Sequence, residues 1–336
     1  MEYRNLGASG LKVSPICLGT MMFGDRTDAA EAGRIVDAAR AAGVNFIDTA
    51  DAYAKGGSER VVGKLIASDR EHWVLATKVG NPMGKGPNDG GLSRGWLMRA
   101  IDASLERLNT DWVDIYYFHL DDASTPIEES LVAMGEIVAA GKVRYFGVSN
   151  YRAWRIAQIV ELCAKLGVPA PIVSQPYYNA MNRMPETGVL PACANYGLGV
   201  VPYSPLARGV LTGKYAPGQA PAADTRAGQN DKRMMETEFR EESMVMARKL
   251  KAHAEQRGMS AGQFALNWVL NNRIVTSVLA GPRTFEQWTE YLGALAHRFS
   301  AEDEALVDSM VKSGHPSTPG FNDPKYPIVG RPTYSD

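Results

Sequence analysis

The 336-residue sequence has only three cysteines and five histidines, and neither set is spaced for chemistry. Cys17, Cys163 and Cys193 are odd in number and far apart, with no CxxC pair and no neighbouring histidine. That excludes a disulfide framework and a thiolate metal site, and leaves the three as small buried hydrophobes. No HExxH or comparable ligand spacing occurs, so no metal is expected. Long apolar runs are missing too. Nothing approaches the roughly 20 residues of a membrane span, and Met1-Glu2-Tyr3-Arg4-Asn5 lacks the apolar core of a signal peptide. Neither charge is in surplus: with 36 basic against 37 acidic residues and a formal net charge of -1, there is no electrostatic footprint for nucleic acid or an anionic membrane. A cytoplasmic protein is the simplest reading.

What is present is a repeating alternation of short apolar runs and amphipathic segments, with 45% hydrophobic residues to build a core. Residues 1–14 read as a hairpin divided by Gly7-Ala8-Ser9-Gly10. Ile16-Cys17-Leu18 then leads into Gly19-Thr20-Met21-Met22-Phe23-Gly24, whose glycines suit either the close approach of a ligand or a plain turn. Asp28 and Glu31 have capping-box spacing ahead of a helix over 28–42, and Thr125-Pro126-Ile127-Glu128 supplies a cap, a first-turn proline and a glutamate for another. Eight strand-like runs follow the hairpin, ending with Val275–Ala280, and helices separate all but the last two singly. This pattern predicts a single domain over 1–336, an α/β (β/α)8 barrel with a hairpin cap and extra C-terminal helices. Residues 215–237, rich in proline, glycine and charge, read as one long loop, and 314–336 as a tail. An open doubly wound sheet is the competitor, but residues 19–24 lack the GxGxxG spacing expected after its first strand.

Polar residues stand where the barrel strands should end. Asp48 and Tyr53 follow Phe46-Ile47, Lys78 sits near the end of Trp73–Gly80, and His119 follows Trp112–Phe118. Singly, each has a structural alternative: a cap or turn for Asp48, packing for Tyr53, loop orientation for His119. Together they face one opening. A lysine between an aspartate and a tyrosine is expected to favour phenolate and draw the Tyr53 pKa below its usual value of about 10, with Asp48 offsetting the cost of burying the lysine. His119 could hydrogen-bond the same substrate oxygen.

The residues Phe46-Ile47-Asp48-Thr49-Ala50 with Tyr53, Ala76-Thr77-Lys78, His119, Gly147-Val148-Ser149-Asn150, Gln175, the run Tyr203–Lys214 and Gly281-Pro282-Arg283 jointly resemble the aldo-keto reductases, from the hairpin to about residue 296. The resemblance implies NADPH bound across the barrel mouth and a small aldehyde or ketone substrate. It implies Tyr53 as general acid, Lys78 and Asp48 as its tuning pair, and His119 as substrate orienter. Ser149, Asn150 and Gln175 would hold the nicotinamide carboxamide, with Tyr203 on the ring. Ser204, Leu206, Gly209 and Lys214 would meet the pyrophosphate, and Arg283 and Gln287 the 2′-phosphate. Gly19, Thr20, Met21, Asp48, Pro205 and Gly281 belong to the same cofactor set. Tyr291 stands where relatives commonly carry an asparagine near the adenine. Met22, Phe23, Trp96 and Tyr178 are expected to line the substrate pocket beside Tyr53 and His119. The potassium-channel β subunits share the fold and much of this motif set, so a cofactor-binding regulatory subunit is the alternative.

Overall fold

A computed structural model describes residues 1–328. An antiparallel hairpin, β1 (Arg4–Asn5) with β2 (Lys12–Val13), opens the chain. Alternation follows: β3 (Ile16–Gly19), α1 (Ala29–Ala41), β4 (Phe46–Asp48), α2 (Gly57–Ile66), β5 (Val74–Val79), α3 (Arg94–Leu108), β6 (Val113–Phe118), α4 (Ile127–Ala139), β7 (Val143–Ser149), α5 (Ala153–Leu166), β8 (Val173–Gln175), α6 (Val189–Tyr196) and β9 (Gly199–Val200). Then α7 (Lys232–Thr237), α8 (Glu241–Gln256) and α9 (Ala261–Asn271) precede β10 (Val278–Ala280), and α10 (Phe285–Gly293) and α11 (Ala301–Met310) come after it.

The eight strands pair in parallel in the order β10-β3-β4-β5-β6-β7-β8-β9. A parallel bridge between Val200 and Val275, with hydrogen bonds from Thr276 N to Val200 O (2.9 Å) and Leu279 N to Pro202 O (3.0 Å), joins the two ends. The sheet is therefore curled into the expected (β/α)8 barrel. Its interior is filled by alternate strand residues, among them Cys17, Phe46, Val74, Ala76, Ile115, Tyr117 and Val173, while Leu6 and Val13 of the hairpin plug one end. Gly7 makes that plug possible. Its φ is +61°, and a Cβ there would lie 2.3 Å from Gly197 O.

The strand period of two positions the site. Phe46 and Ala76 point into the barrel, so Asp48 and Lys78, two residues further along their strands, do as well. Val173 carries Gln175 inward in the same way, and Ser149 is registered opposite Gln175. Gly147 precedes Ser149 in this layer because any side chain would collide with Tyr117 and Val173, whose atoms lie 2.7 and 2.5 Å from a Cβ built there.

Several boundaries differ from expectation. Asp28 does cap α1, accepting from Glu31 N at 2.9 Å, but the Glu31 carboxylate accepts from Phe285 N (2.6 Å) and Arg34 (2.8 Å) instead of closing a box. Pro126, not Thr125, is the N-cap of α4, because the Thr125 hydroxyl donates to Asp122 Oδ2 at 2.7 Å. The segment 215–237 is not wholly a loop: α7 forms at its end, capped by Asp231 and anchored by fully buried Met234. The tail from 314 folds back on the barrel, with Ser317 N donating to Met181 O at 2.8 Å, and its last part, 329–336, lies outside the described residues. Among the described residues, no helix is long and apolar enough to cross a membrane.

Candidate active site

At the C-terminal end of β5 the Lys78 ammonium is fully buried. It is ion-paired with Asp48 Oδ1 and donates to Thr49 O (2.7 Å) and Tyr53 OH (3.3 Å). The second Asp48 oxygen accepts from Gln175 Nε2 at 2.9 Å, so both carboxylate oxygens are satisfied despite complete burial. Desolvation works against the lysine's charge, but the attraction of Asp48 and Tyr53 prevails and holds its pKa above the usual value.

Tyr53 lies at the start of a turn in which Ala54 (φ 48°) and Lys55 (φ 52°) adopt left-handed backbone. Of eight non-glycine residues with positive φ among the described residues, six (Ala54, Lys55, Asn150, Ser204, Ala207 and Arg208) lie in loops at this mouth. Left-handed backbone costs such residues about 1–2 kcal/mol each, a strain that concentrates at functional sites. Burial pushes the Tyr53 hydroxyl above its ordinary pKa; Lys78 pulls it down, but by less. This corrects the expectation of a lowered value: the neutral phenol, not the phenolate, is the resting form, which is the form a proton donor requires.

The His119 ring meets the Tyr53 ring edge-on, centroids 5.9 Å apart. Burial and then the charge of Lys78 hold its pKa well below the usual value, so it is neutral imidazole. Asn81 Nδ2 lies 2.9 Å from His119 Nδ1, and an amide nitrogen can only donate. Nδ1 therefore accepts, and Nε2 carries the remaining proton. Asn150 Nδ2 ties to His119 O (2.9 Å) and Ser149 Oγ (3.0 Å), while its Oδ1 accepts from Tyr203 OH at 2.7 Å. The Tyr203 ring in turn stacks on Tyr177 at 5.6 Å and 24°.

These groups open into one cavity of about 460 Å³ that runs across the barrel mouth. Every residue expected to bind the cofactor lies on its wall: Gly19, Thr20, Met21, Asp48, Ser149, Asn150, Gln175, the stretch Tyr203–Leu206, Gly209, Lys214, Gly281, Arg283, Gln287 and Tyr291. Gln287 accepts from Arg283 N at 2.7 Å, which fixes the turn that carries Arg283. Of the expected substrate contacts, Met22, Tyr53 and His119 line the cavity. Phe23, Trp96 and Tyr178 do not. Phe23 is completely buried in the core outside the barrel, Trp96 faces that same core from α3, and Tyr178 packs on Trp268 and hydrogen-bonds Glu186 at 2.7 Å in a separate cleft. Each is an aromatic residue near a strand or helix end that the core claims for packing.

Other wall residues had no signal in the sequence. Asn81 reaches His119 only because the loop after β5 turns back, Arg26 and Arg226 stand in irregular segments, Arg233 lies in α7 where a loop was expected, and Arg208, though inside the run Tyr203–Lys214, carried no expected role. Lys325 and Tyr326 arrive from the tail. With Lys214 and Arg283, the wall carries seven cationic side chains against two carboxylates, Asp48 and Asp224, among the described residues, which suits a polyanionic ligand.

The aldo/keto reductase family model matches residues 15–312. A protein of Oryza sativa subsp. japonica described as a probable voltage-gated potassium channel subunit beta is 39% identical over 300 residues, covering 88% of this chain and 91% of that protein. The L-glyceraldehyde 3-phosphate reductase of Escherichia coli O157:H7 is 35% identical over 324 residues, covering 94% of this chain and 93% of its own length. An uncharacterized oxidoreductase of Bacillus subtilis (strain 168) is 36% identical over 331 residues, covering 95% and 98%. The family match extends over nearly the whole barrel, and the chain belongs to the aldo/keto reductase family.

Proposed function

We propose that this protein reduces aldehydes or ketones to alcohols with NADPH, Tyr53 acting as the general acid. The observation that carries the reading is the Tyr53 hydroxyl, 3.3 Å from the buried Lys78 ammonium that is itself paired with Asp48. Family membership and the oxidoreductase-named relatives support carbonyl reduction in general.

The residues on the cavity wall fit the cofactor. At one end Arg26, Lys214 and Arg283 have no carboxylate within 4 Å among the described residues, and Arg283 suits bidentate pairing with a ribose 2′-phosphate. At the other end, the Asn150 and Gln175 amides with Ser149 offer donors and acceptors for a carboxamide, beside the Tyr203 ring. When bound, NADPH supplies the hydride. The chain supplies the proton and the geometry. Tyr53 gives its hydroxyl proton to the carbonyl oxygen, and the Lys78 ammonium stabilises the phenolate left behind. His119, with Nδ1 occupied by Asn81, directs Nε2–H toward the same oxygen and polarises it. The neutral imidazole makes His119 an orienter and not a competing acid. Consumption of NADPH on a panel of small aldehydes and ketones, with the alcohol product identified, tests the reading.

A second reading, a cofactor-holding regulatory subunit, is supported by the potassium-channel description of the rice relative. It retains cofactor binding but needs no turnover. Tight NADPH binding with no reduction across the panel would favour it.

A further inference from the structure

The cavity's seven cations are not equivalent. Three have carboxylate partners: Arg208 lies 3.8 Å from Glu238, Arg226 3.7 Å from Asp231, and Arg233 2.6 Å from Asp323. Of the four without a carboxylate within 4 Å among the described residues, three gather at the Arg283 end. Lys214 feels the charge of Arg283, and Arg26 precedes Thr27, whose hydroxyl donates to Arg283 O at 2.8 Å. The fourth, Lys325, stands apart from them. It shares the wall with Tyr53 and His119, and the next two residues, Tyr326 and Pro327, are tied by Arg152 to the loop whose Asn150 amide donates to His119 O at 2.9 Å.

Lys325 is held over this end by a firmly pinned segment. Arg233 clamps Asp323 with two hydrogen bonds, Nη1 to Oδ1 (2.8 Å) and Nη2 to Oδ2 (2.6 Å), and Asp323 Oδ1 also accepts from Lys325 N at 2.9 Å. Arg152 donates to Tyr326 O (2.6 Å) and Pro327 O (3.2 Å) on the far side, and the Arg240 guanidinium lies 3.8 Å over the Phe321 ring. Ordering a tail costs about 1–2 kcal/mol per residue in backbone entropy, so anchors on three separate arginines mark a segment whose position matters. The cofactor phosphates have their own cations at the opposite end. A cation at the carbonyl end is left for the substrate.

We propose that Lys325 seats an anionic group, a carboxylate or a phosphate, on the carbonyl substrate, and that the tail segment 321–327 is the wall that gives the enzyme this selectivity. The proposal rests on the reductase reading above.

The test compares two matched pairs, succinic semialdehyde with its methyl ester and glycolaldehyde phosphate with glycolaldehyde, in wild type, Lys325→Gln and Lys325→Arg. Wild type is expected to prefer the anionic member of at least one pair by about tenfold in kcat/KM, a factor within reach of one charge-assisted contact. The pair that shows it identifies the anion. In Lys325→Gln the ratio falls toward one, with the loss borne by KM for the anionic aldehyde more than by its kcat; Lys325→Arg retains most of the preference. Equal kcat/KM within both pairs in wild type, or a preference that survives Lys325→Gln, overturns the proposal while turnover of the neutral members leaves the reductase reading intact. If Lys325→Gln weakens NADPH binding by the same factor, measured by fluorescence titration, the lysine serves the cofactor and the proposal is likewise overturned. No reduction of any aldehyde, charged or neutral, removes the reading on which it stands.

Discussion

Gln175 donates to the Asp48 oxygen that Lys78 leaves free, at 2.9 Å, and so connects the expected nicotinamide-holding side chains to the expected proton-transfer group through one buried carboxylate. Removing the amide leaves a fully buried oxygen without a partner, at a cost of about 1–3 kcal/mol. Gln175→Ala should therefore lower the urea midpoint and also weaken NADPH binding. A variant with normal stability and weakened binding would disconnect the two roles.

Asp51 should give the protein a pH-dependent stability of its own. The carboxyl is 1% exposed, neither oxygen has a hydrogen-bond partner, and burial with the adjacent Glu59 raises its pKa from 3.8 to about 7. The native state thus binds this proton more tightly than the unfolded chain. The stability it contributes is complete below about pH 4 and lost as pH rises through about 7, an effect on the order of 4 kcal/mol. Other carboxylates, such as Asp122, are depressed and act in the opposite sense, so the clean quantity is a difference. Asp51→Asn should gain on wild type between pH 4 and pH 8 in denaturant titrations; parallel pH curves would place Asp51 in contact with something that satisfies its charge.

The Arg233–Asp323 clamp joins the segment before α8 to the tail across the cavity mouth. Asp323→Ala should expose the tail to limited proteolysis and speed NADPH dissociation in stopped-flow measurements. The global stability change should be small, about 1 kcal/mol or less, because the pair is partly exposed.

Arg283→Ala should raise the Michaelis constant for NADPH more than for NADH, since an NADH ribose offers no phosphate to the guanidinium. Equal losses with both cofactors would remove Arg283 from the 2′-phosphate role.

The barrel was legible in the sequence because each apolar run was bounded and the strand period is strict. Asp48 and Lys78 could be read from their strand ends as facing one opening, each standing two residues beyond an inward-facing residue of its own strand, whereas Ser149 and Gln175 were reached only through the family resemblance. The pocket's outer wall was not legible. Asn81, Lys325 and Tyr326 are brought in by segments with no period, and Arg233 by the short helix α7, whose course depends on distant partners. Phe23, Trp96 and Tyr178 were misplaced for a related reason: an aromatic residue near a strand end fills core and lines pockets equally well by composition, and only packing decides. The sign of the Tyr53 shift was also beyond the sequence, because the attraction of Lys78 can be anticipated from chemistry while the larger desolvation depends on how the loops cover the ring.

The central claim, that Tyr53 hands its proton to the substrate, is tested most directly by pairing NADPH fluorescence titration with single-turnover reduction of one aldehyde in wild type and Tyr53→Phe. The hydroxyl acts in the transition state, whereas the cofactor is expected to be held by Ser149, Asn150, Gln175 and Arg283. The variant should therefore bind NADPH with near wild-type affinity and transfer hydride about 10² to 10⁴ times more slowly, the usual range for a lost general acid. Hydride transfer at the wild-type rate in Tyr53→Phe, with NADPH bound, would contradict the account.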